Sequence, residues 1–231
     1  MAKKVDRLVG ELEEQFRFLK EIGADFIFAP KTGNKPGCRP PGRPAREEIL
    51  ALHEKVLGCK KCPLALGRTH AVPGEGNLEA ELMFIGEGPG HDEDVQGRPF
   101  VGRAGQLLTK IIQAMKFERE DVFIANVVKC RPPENRTPHR DEAARCSPFL
   151  LEQIRLIQPK VIVTLGKVAT DFFVPSASGM TSLRGQFYVW NGIQVMPTFH
   201  PSYLIRNEGN RGIRKMVWDD MQKVMALLGK K

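Results

Sequence analysis

Residues 81–90 read ELMFIGEGPG, in which an apolar run from Leu82 to Ile85 enters a turn of three glycines and one proline. The run has the length and character of a buried strand. The turn lets backbone N–H groups approach a ligand without interference from Cβ atoms. A chain that begins its sheet this way has a ligand-facing loop built into its first strand.

The segments that follow keep to this plan. Strands are predicted at 122–127 and within KVIVTLG at 160–166, separated by helices at 102–115 and from the Pro-rich turn at 132–138 to about Ile157. A short helix then reaches Phe173, and 186–190 pairs with 193–198 across Asn191-Gly192, a strong hairpin pair. Short and long helices are expected from Pro201 and over 211–228. Strands alternating with helices imply an α/β fold with a parallel sheet and helices on both faces. In such sheets ligands bind beyond the carboxyl ends of the strands. Gly86 to Gly90, Asn126 and His200 fall there, so one active site is expected at that edge.

Ahead of this body, Val5, Leu8, Val9, Leu12, Phe16 and Leu19 recur at helical spacing and predict an amphipathic helix. Residues 29–44, APKTGNKPGCRPPGRP, read as an irregular linker. A further helix is expected from Ala45 through Val56 to Gly58. The domain reading is therefore an N-terminal extension over 1–46 and a catalytic domain over 47–231. No signal-peptide pattern or membrane-length apolar run is present, so a cytoplasmic protein is expected. The 35 basic and 27 acidic residues give a formal charge of +8. That surplus is compatible with a polyanionic partner but does not identify one.

Five cysteines in such a compartment argue against a disulfide framework. Cys59 and Cys62 form a CxxC turn, and Cys130 and Cys146 offer a second pair; Cys38 stands apart in the linker. Four thiolates could hold a structural zinc ion or an iron–sulfur cluster. Zinc ribbons use two CxxC knuckles, which the second pair does not supply, so spacing leans toward a cluster.

GEGPG at 86–90, GRPFVGRAGQLL at 97–108, NVVKCRPPENR at 126–136 and HPSYLIRN at 200–207 together closely resemble the family 4 uracil-DNA glycosylases. The resemblance covers about residues 47–231. It implies a four-stranded parallel sheet with flanking helices, a [4Fe-4S] cluster on Cys59, Cys62, Cys130 and Cys146, and excision of uracil from single- or double-stranded DNA by a monomer. The uracil pocket carries over to the backbone of Gly86, Glu87 and Gly88, with Gly90, Phe100, Asn126 and His200. The family usually has alanine where this chain has Gly88, a difference expected to affect only turn flexibility.

The residue types suit that chemistry. An extruded base needs an aromatic face, which Phe100 offers. The amide of Asn126 matches uracil O4 and N3–H, whereas cytosine presents the opposite pattern. His200 precedes Pro201 at a helix start, where a neutral imidazole could donate to O2 as charge builds on the leaving base. The aspartate that other uracil glycosylases use in the first motif matches Gly88, so Glu93 or Glu87 is expected to position water, with Glu93 preferred. Asp92, Glu93 and Asp94 also read as a solvated acidic loop. For DNA, Ser202 is expected on phosphate, Leu204 as a wedge into the base stack, and Arg206 beside them. Arg211, Arg214 and Lys215 extend that basic run. A uracil-binding relative that traps DNA through a histidine carries an extra basic loop absent from this sequence. A zinc-stapled, non-catalytic DNA-binding module is the reading from another class.

Overall fold

The computed structural model describes residues 45–230; the expected helix at 5–19, the linker at 29–44 and Cys38 lie outside the described residues. Six strands form one sheet: β1 (Glu75–Gly76), β2 (Leu82–Gly86), β3 (Phe123–Asn126), β4 (Val161–Leu165), β5 (Tyr188–Trp190) and β6 (Ile193–Thr198). Their order is β1-β3-β2-β4-β6-β5. The inner four are parallel, and β1 and β5 are antiparallel strands at the two edges. The expected four-stranded parallel sheet is thus the centre of a mixed six-stranded one. β5 comes from the anticipated hairpin, whose Asn191 and Gly192 both take positive φ, 48° and 82°, as a type I′ turn requires. β1 is two residues long and contains a glycine, so it leaves no periodic signal.

The helices are α1 (Ala45–Leu57), α2 (Leu64–Gly67), α3 (His91–Gln96), α4 (Arg103–Ala114), α5 (Arg140–Ile157), α6 (Lys167–Phe173), α7 (Met180–Leu183), α8 (Pro201–Arg206) and α9 (Arg211–Leu227). Every residue of β2, β3 and β4 is buried, because helices cover both sheet faces. Alternate side chains divide between two cores. Met83, Ile85, Phe123 and Ile162 pack with α1, α5 and α6. Leu82, Phe84, Ile124 and Val163 pack with α4, α8 and α9. Burying each such side chain contributes about 1.5–3 kcal/mol, and Phe84 and Phe123 are wholly inaccessible.

Helix α5 runs through Pro148, which has no N–H to give to the carbonyl of Ala144. The Ser147 hydroxyl donates to that carbonyl instead, at 3.1 Å. The helix therefore continues past the proline and carries Cys146 and Gln153 on one rod.

Candidate active site

The parallel strands all end on one edge, and the residues just past their ends meet there. Gly86 and Asn126 are register partners at the tips of β2 and β3. Gly166 follows β4, and β6 leads through Phe199 to His200. A cleft of about 690 Å³ opens over this edge and is lined by Glu87, Phe100, Asn126, Gly166 and His200 among others. The convergence expected from the sequence is observed.

Asn126 is 2% exposed. Its Oδ1 is buried without a hydrogen-bond partner, and such an atom carries a free-energy cost of about 1–3 kcal/mol until something donates to it. The amide lies over Gly86: a Cβ on that glycine would come within 2.5 Å of both Asn126 Oδ1 and Phe100 Cζ. Only glycine lets the three approach so closely.

Phe100 sits in the left-handed region, with φ of 51°, a conformation that costs a bulky residue energy. Gly105 at the start of α4 makes room for it, since a Cβ there would lie 1.9 Å from the Phe100 carbonyl. The Phe100 ring faces the His200 imidazole, centroids 5.7 Å apart and planes tilted by 35°.

His200 caps α8, and its Nδ1 accepts from the Ser202 amide at 3.1 Å. A ring nitrogen that accepts carries no proton, so the neutral ring holds its hydrogen on Nε2. Burial, reinforced by the charge of Arg206, lowers the His200 pKa to about 4. The imidazole is thus a neutral donor at physiological pH. Its loop is tied down from behind: Thr198 Oγ1 donates to Asp220 at 2.7 Å, and Arg184 Nε donates to the same carboxylate at 2.9 Å. Neither Arg184 nor Asp220 was legible as a supporting residue, because a polar pair inside α9 and a loop gives no local motif.

The two glutamates differ. Glu93 is 9% exposed, and both its oxygens are taken by backbone amides. Oε1 accepts from Val101 and Gly102, each at 2.9 Å, and Oε2 from Gly90 at 3.1 Å. It fastens the glycine turn to the Phe100 loop while its side chain borders the cleft. Glu87 also lines the cleft; burial raises its pKa, opposed by a hydrogen bond with the Thr137 side chain. The acidic run is therefore helix α3 with two buried carboxylates, not a solvated loop. Gly88 matters more than anticipated, since a Cβ there would come within 2.7 Å of Val128 Cγ2. Accommodating alanine requires Val128 to shift.

Ser202 and Arg206 line the cleft. Leu204 does not: it is 4% exposed and packs in the core beneath α8. This corrects its placement as a surface wedge. The helix turns Leu204 inward and leaves its neighbour Tyr203, 37% exposed and backed by Phe199 at 5.0 Å between centroids, at the mouth. Lys215 pairs with Asp219 at 3.0 Å, so part of the basic run is engaged on its own helix. Arg136, at the end of the NVVKCRPPENR stretch, also borders the cleft and donates to both oxygens of Glu142.

Cys59 and Cys62 at the α1–α2 junction lie near Cys130 and Cys146, close enough for the charge of Cys62 to act on both of the later thiols. N–H groups point at all four sulfurs: Lys61 N to Cys59 (3.5 Å), Arg68 Nη1 to Cys130 (3.0 Å), Lys129 N to Cys146 (3.2 Å), and the backbone amides of Leu64 and Ala65 to Cys62. Donors of this kind suit anionic thiolate ligands. Among the described residues no group of three or more His, Cys, Asp or Glu side chains could hold a metal ion. The four sulfurs are an all-thiolate donor set, the ligand type that both zinc and iron–sulfur centres use.

A sheet with a parallel centre, flanked by helices and carrying an amide, an imidazole and an aromatic ring around one cleft at its carboxyl edge, defines an α/β protein with a ligand site at the strand ends. Residues 73–222 match the model of the uracil DNA glycosylase superfamily, and the chain belongs to that superfamily. It is 51% identical over 188 residues to the type-4 uracil-DNA glycosylase of Thermotoga maritima, covering 80% of this chain and 97% of the relative. It is 48% identical to that of Sulfurisphaera tokodaii, covering 78% and 85%, and 39% identical to that of Archaeoglobus fulgidus, covering 80% and 96%. Its place within the superfamily is among the type-4 enzymes. No helix among the described residues is long and apolar enough to cross a membrane.

Proposed function

We propose that the chain hydrolyses the N-glycosidic bond of uracil in DNA and leaves an abasic site without cutting the strand. The observation that carries this reading is the buried, unpartnered Oδ1 of Asn126. Uracil N3–H supplies the missing donor, and the amide NH₂ meets O4. Cytosine has an acceptor at N3, which would leave Oδ1 unpaired beside a lone pair, so the slot disfavours it.

The base must first leave the duplex, at a cost of a few kcal/mol. The Phe100 ring gives the extruded base a stacking face. As the glycosidic bond breaks, charge grows on uracil O2, and the Nε2–H of neutral His200 donates to it. Because the ring is already held by Ser202, little reorganisation accompanies that stabilisation. The sugar becomes cation-like and is attacked by water. Glu87 is the carboxylate suited to steady that cation or orient the water, since the oxygens of Glu93 are committed to three amides. Glu93 then serves by holding Gly90 and the Phe100 loop in place. Ser202 and Arg206 hold the DNA backbone at the rim.

Cys59, Cys62, Cys130 and Cys146 would hold a [4Fe-4S] cluster. Such a cluster would supply a fastening between the α1–α2 junction and the loop after β3. Uracil release from labelled single- and double-stranded oligonucleotides, followed by alkali cleavage at the abasic site, tests the activity. Strand scission without alkali, or release of cytosine in place of uracil, would overturn it. Iron and sulfide analysis of anaerobically purified protein tests the cluster against zinc.

A further inference from the structure

Lys129 is 1% exposed, and the chemistry above does not use it. Burying an amine is costly unless its donors find acceptors. Here Nζ donates to the backbone carbonyl of Asn126 at 2.9 Å and to Gln153 Oε1 at 2.7 Å. We propose that Lys129 is a positioning residue for the uracil-reading amide of Asn126, coupling its placement to the cysteine-bearing helix α5. The proposal rests on the assignment of Asn126 as the uracil reader.

The need for a lysine follows from the sheet. Val127 N–H turns toward β2 and donates to the Gly86 carbonyl at 2.9 Å. In an extended strand the preceding carbonyl, that of Asn126, therefore turns to the opposite side. On that side β1 pairs only with Phe123 and Ile124. The Asn126 carbonyl lies past the end of β1, buried and without a ladder donor. Lys129 reaches back three residues and supplies one.

The same residue is held at its other atoms. Its amide donates to Cys146 Sγ at 3.2 Å, and its carbonyl accepts from Val72 N at 2.7 Å. Gln153, which anchors the ammonium, itself donates through Nε2 to the Pro73 carbonyl at 2.7 Å. Cys146 and Gln153 both project from α5. Moving that helix, or the loop carrying Cys130, would shift the donor that fixes the tip of β3. The carboxamide on that tip has to meet a base edge within hydrogen-bond tolerance, where small displacements are expensive.

Lys129→Met keeps the side chain's length and apolar stem while removing its donors. The expected result is a folded protein in which kcat/KM on a uracil oligonucleotide falls and inhibition by free uracil weakens roughly tenfold, because the displaced amide meets the base edge poorly. In an Asn126→Ala background the same substitution should add almost nothing, because both changes then act on one function. An equal fold-loss in both backgrounds, or a lowered melting temperature with unchanged kinetics, would overturn the proposal. Should Lys129→Met fail to fold, Gln153→Ala replaces it and is expected to weaken uracil inhibition in the same direction. Unchanged inhibition there would also overturn the proposal. Failure of the wild-type enzyme to release uracil would instead sink the functional reading itself.

Discussion

The imidazole of His200 lies 5.7 Å from the ring of Phe100, although one residue caps a helix after β6 and the other sits in a loop before α4. Both rings line the cleft beside the Asn126 amide, which lies over Gly86. That geometry makes distinct demands on each residue around it.

The His200 ring stays neutral until about pH 4. The rate of uracil release should therefore show no acid limb near 6.5 from this group, only one close to 4. Between about pH 6.5 and 4 the unfolded histidine binds a proton while the folded one does not. Its contribution to stability is present above 6.5 and declines as pH falls toward 4. A pH–rate profile with an inflection near 6.5 that vanishes in His200→Gln would contradict this.

Removing the donor at position 200 or the amide at 126 should cost about 10²–10³-fold in kcat, as loss of one preorganised donor typically does. His200→Ala and Asn126→Ala are both expected to fold. Single-turnover kinetics with circular dichroism checks this, and near-normal rates in either variant would remove the assigned role.

The two glutamates should separate cleanly. Glu87→Gln is expected to lower kcat with little change in melting temperature. Glu93→Ala releases the amides of Gly90, Val101 and Gly102; hydrogen bonds to a charged group contribute about 1.5–3 kcal/mol each. That variant should melt earlier and lose activity together. A Glu93→Ala protein as stable as wild type would show that the brace is unimportant.

Leu204→Ala should destabilise by about 2–5 kcal/mol, the usual cost of truncating a buried leucine. The salt dependence of DNA binding should stay as it is in wild type. A variant with unchanged melting but weakened duplex binding would return Leu204 to the role of wedge.

Substituting Cys130 with serine should abolish the visible absorption of an iron–sulfur centre and lower the melting temperature. Iron content unaltered by the change would show that this sulfur is no ligand.

Much of this site could be read from residue order alone. Gly86, Asn126 and His200 each follow an apolar strand, and parallel topology places such positions side by side. What escaped did so for physical reasons. Glu93 and Asp94 look like surface residues, yet they are buried because their oxygens bond distant amides, Asp94 accepting from Thr69 N at 2.9 Å. The Gly90 bond is a local capping contact, but Val101, Gly102 and Thr69 lie eight or more residues away, and no short-range pattern encodes those bonds. Leu204 was misplaced because a six-residue helix presents either face depending on how it docks. Lys129 reads as a solvated lysine until the end of β1 is known.

The clasp of Glu93 across two loops also has a thermodynamic corollary. Receptors that arrive already shaped lose little conformational freedom when their guest enters, so more of the contact energy remains to oppose base stacking. Sensitivity to temperature in this enzyme should then track the melting of DNA around the lesion rather than any closing movement of the protein.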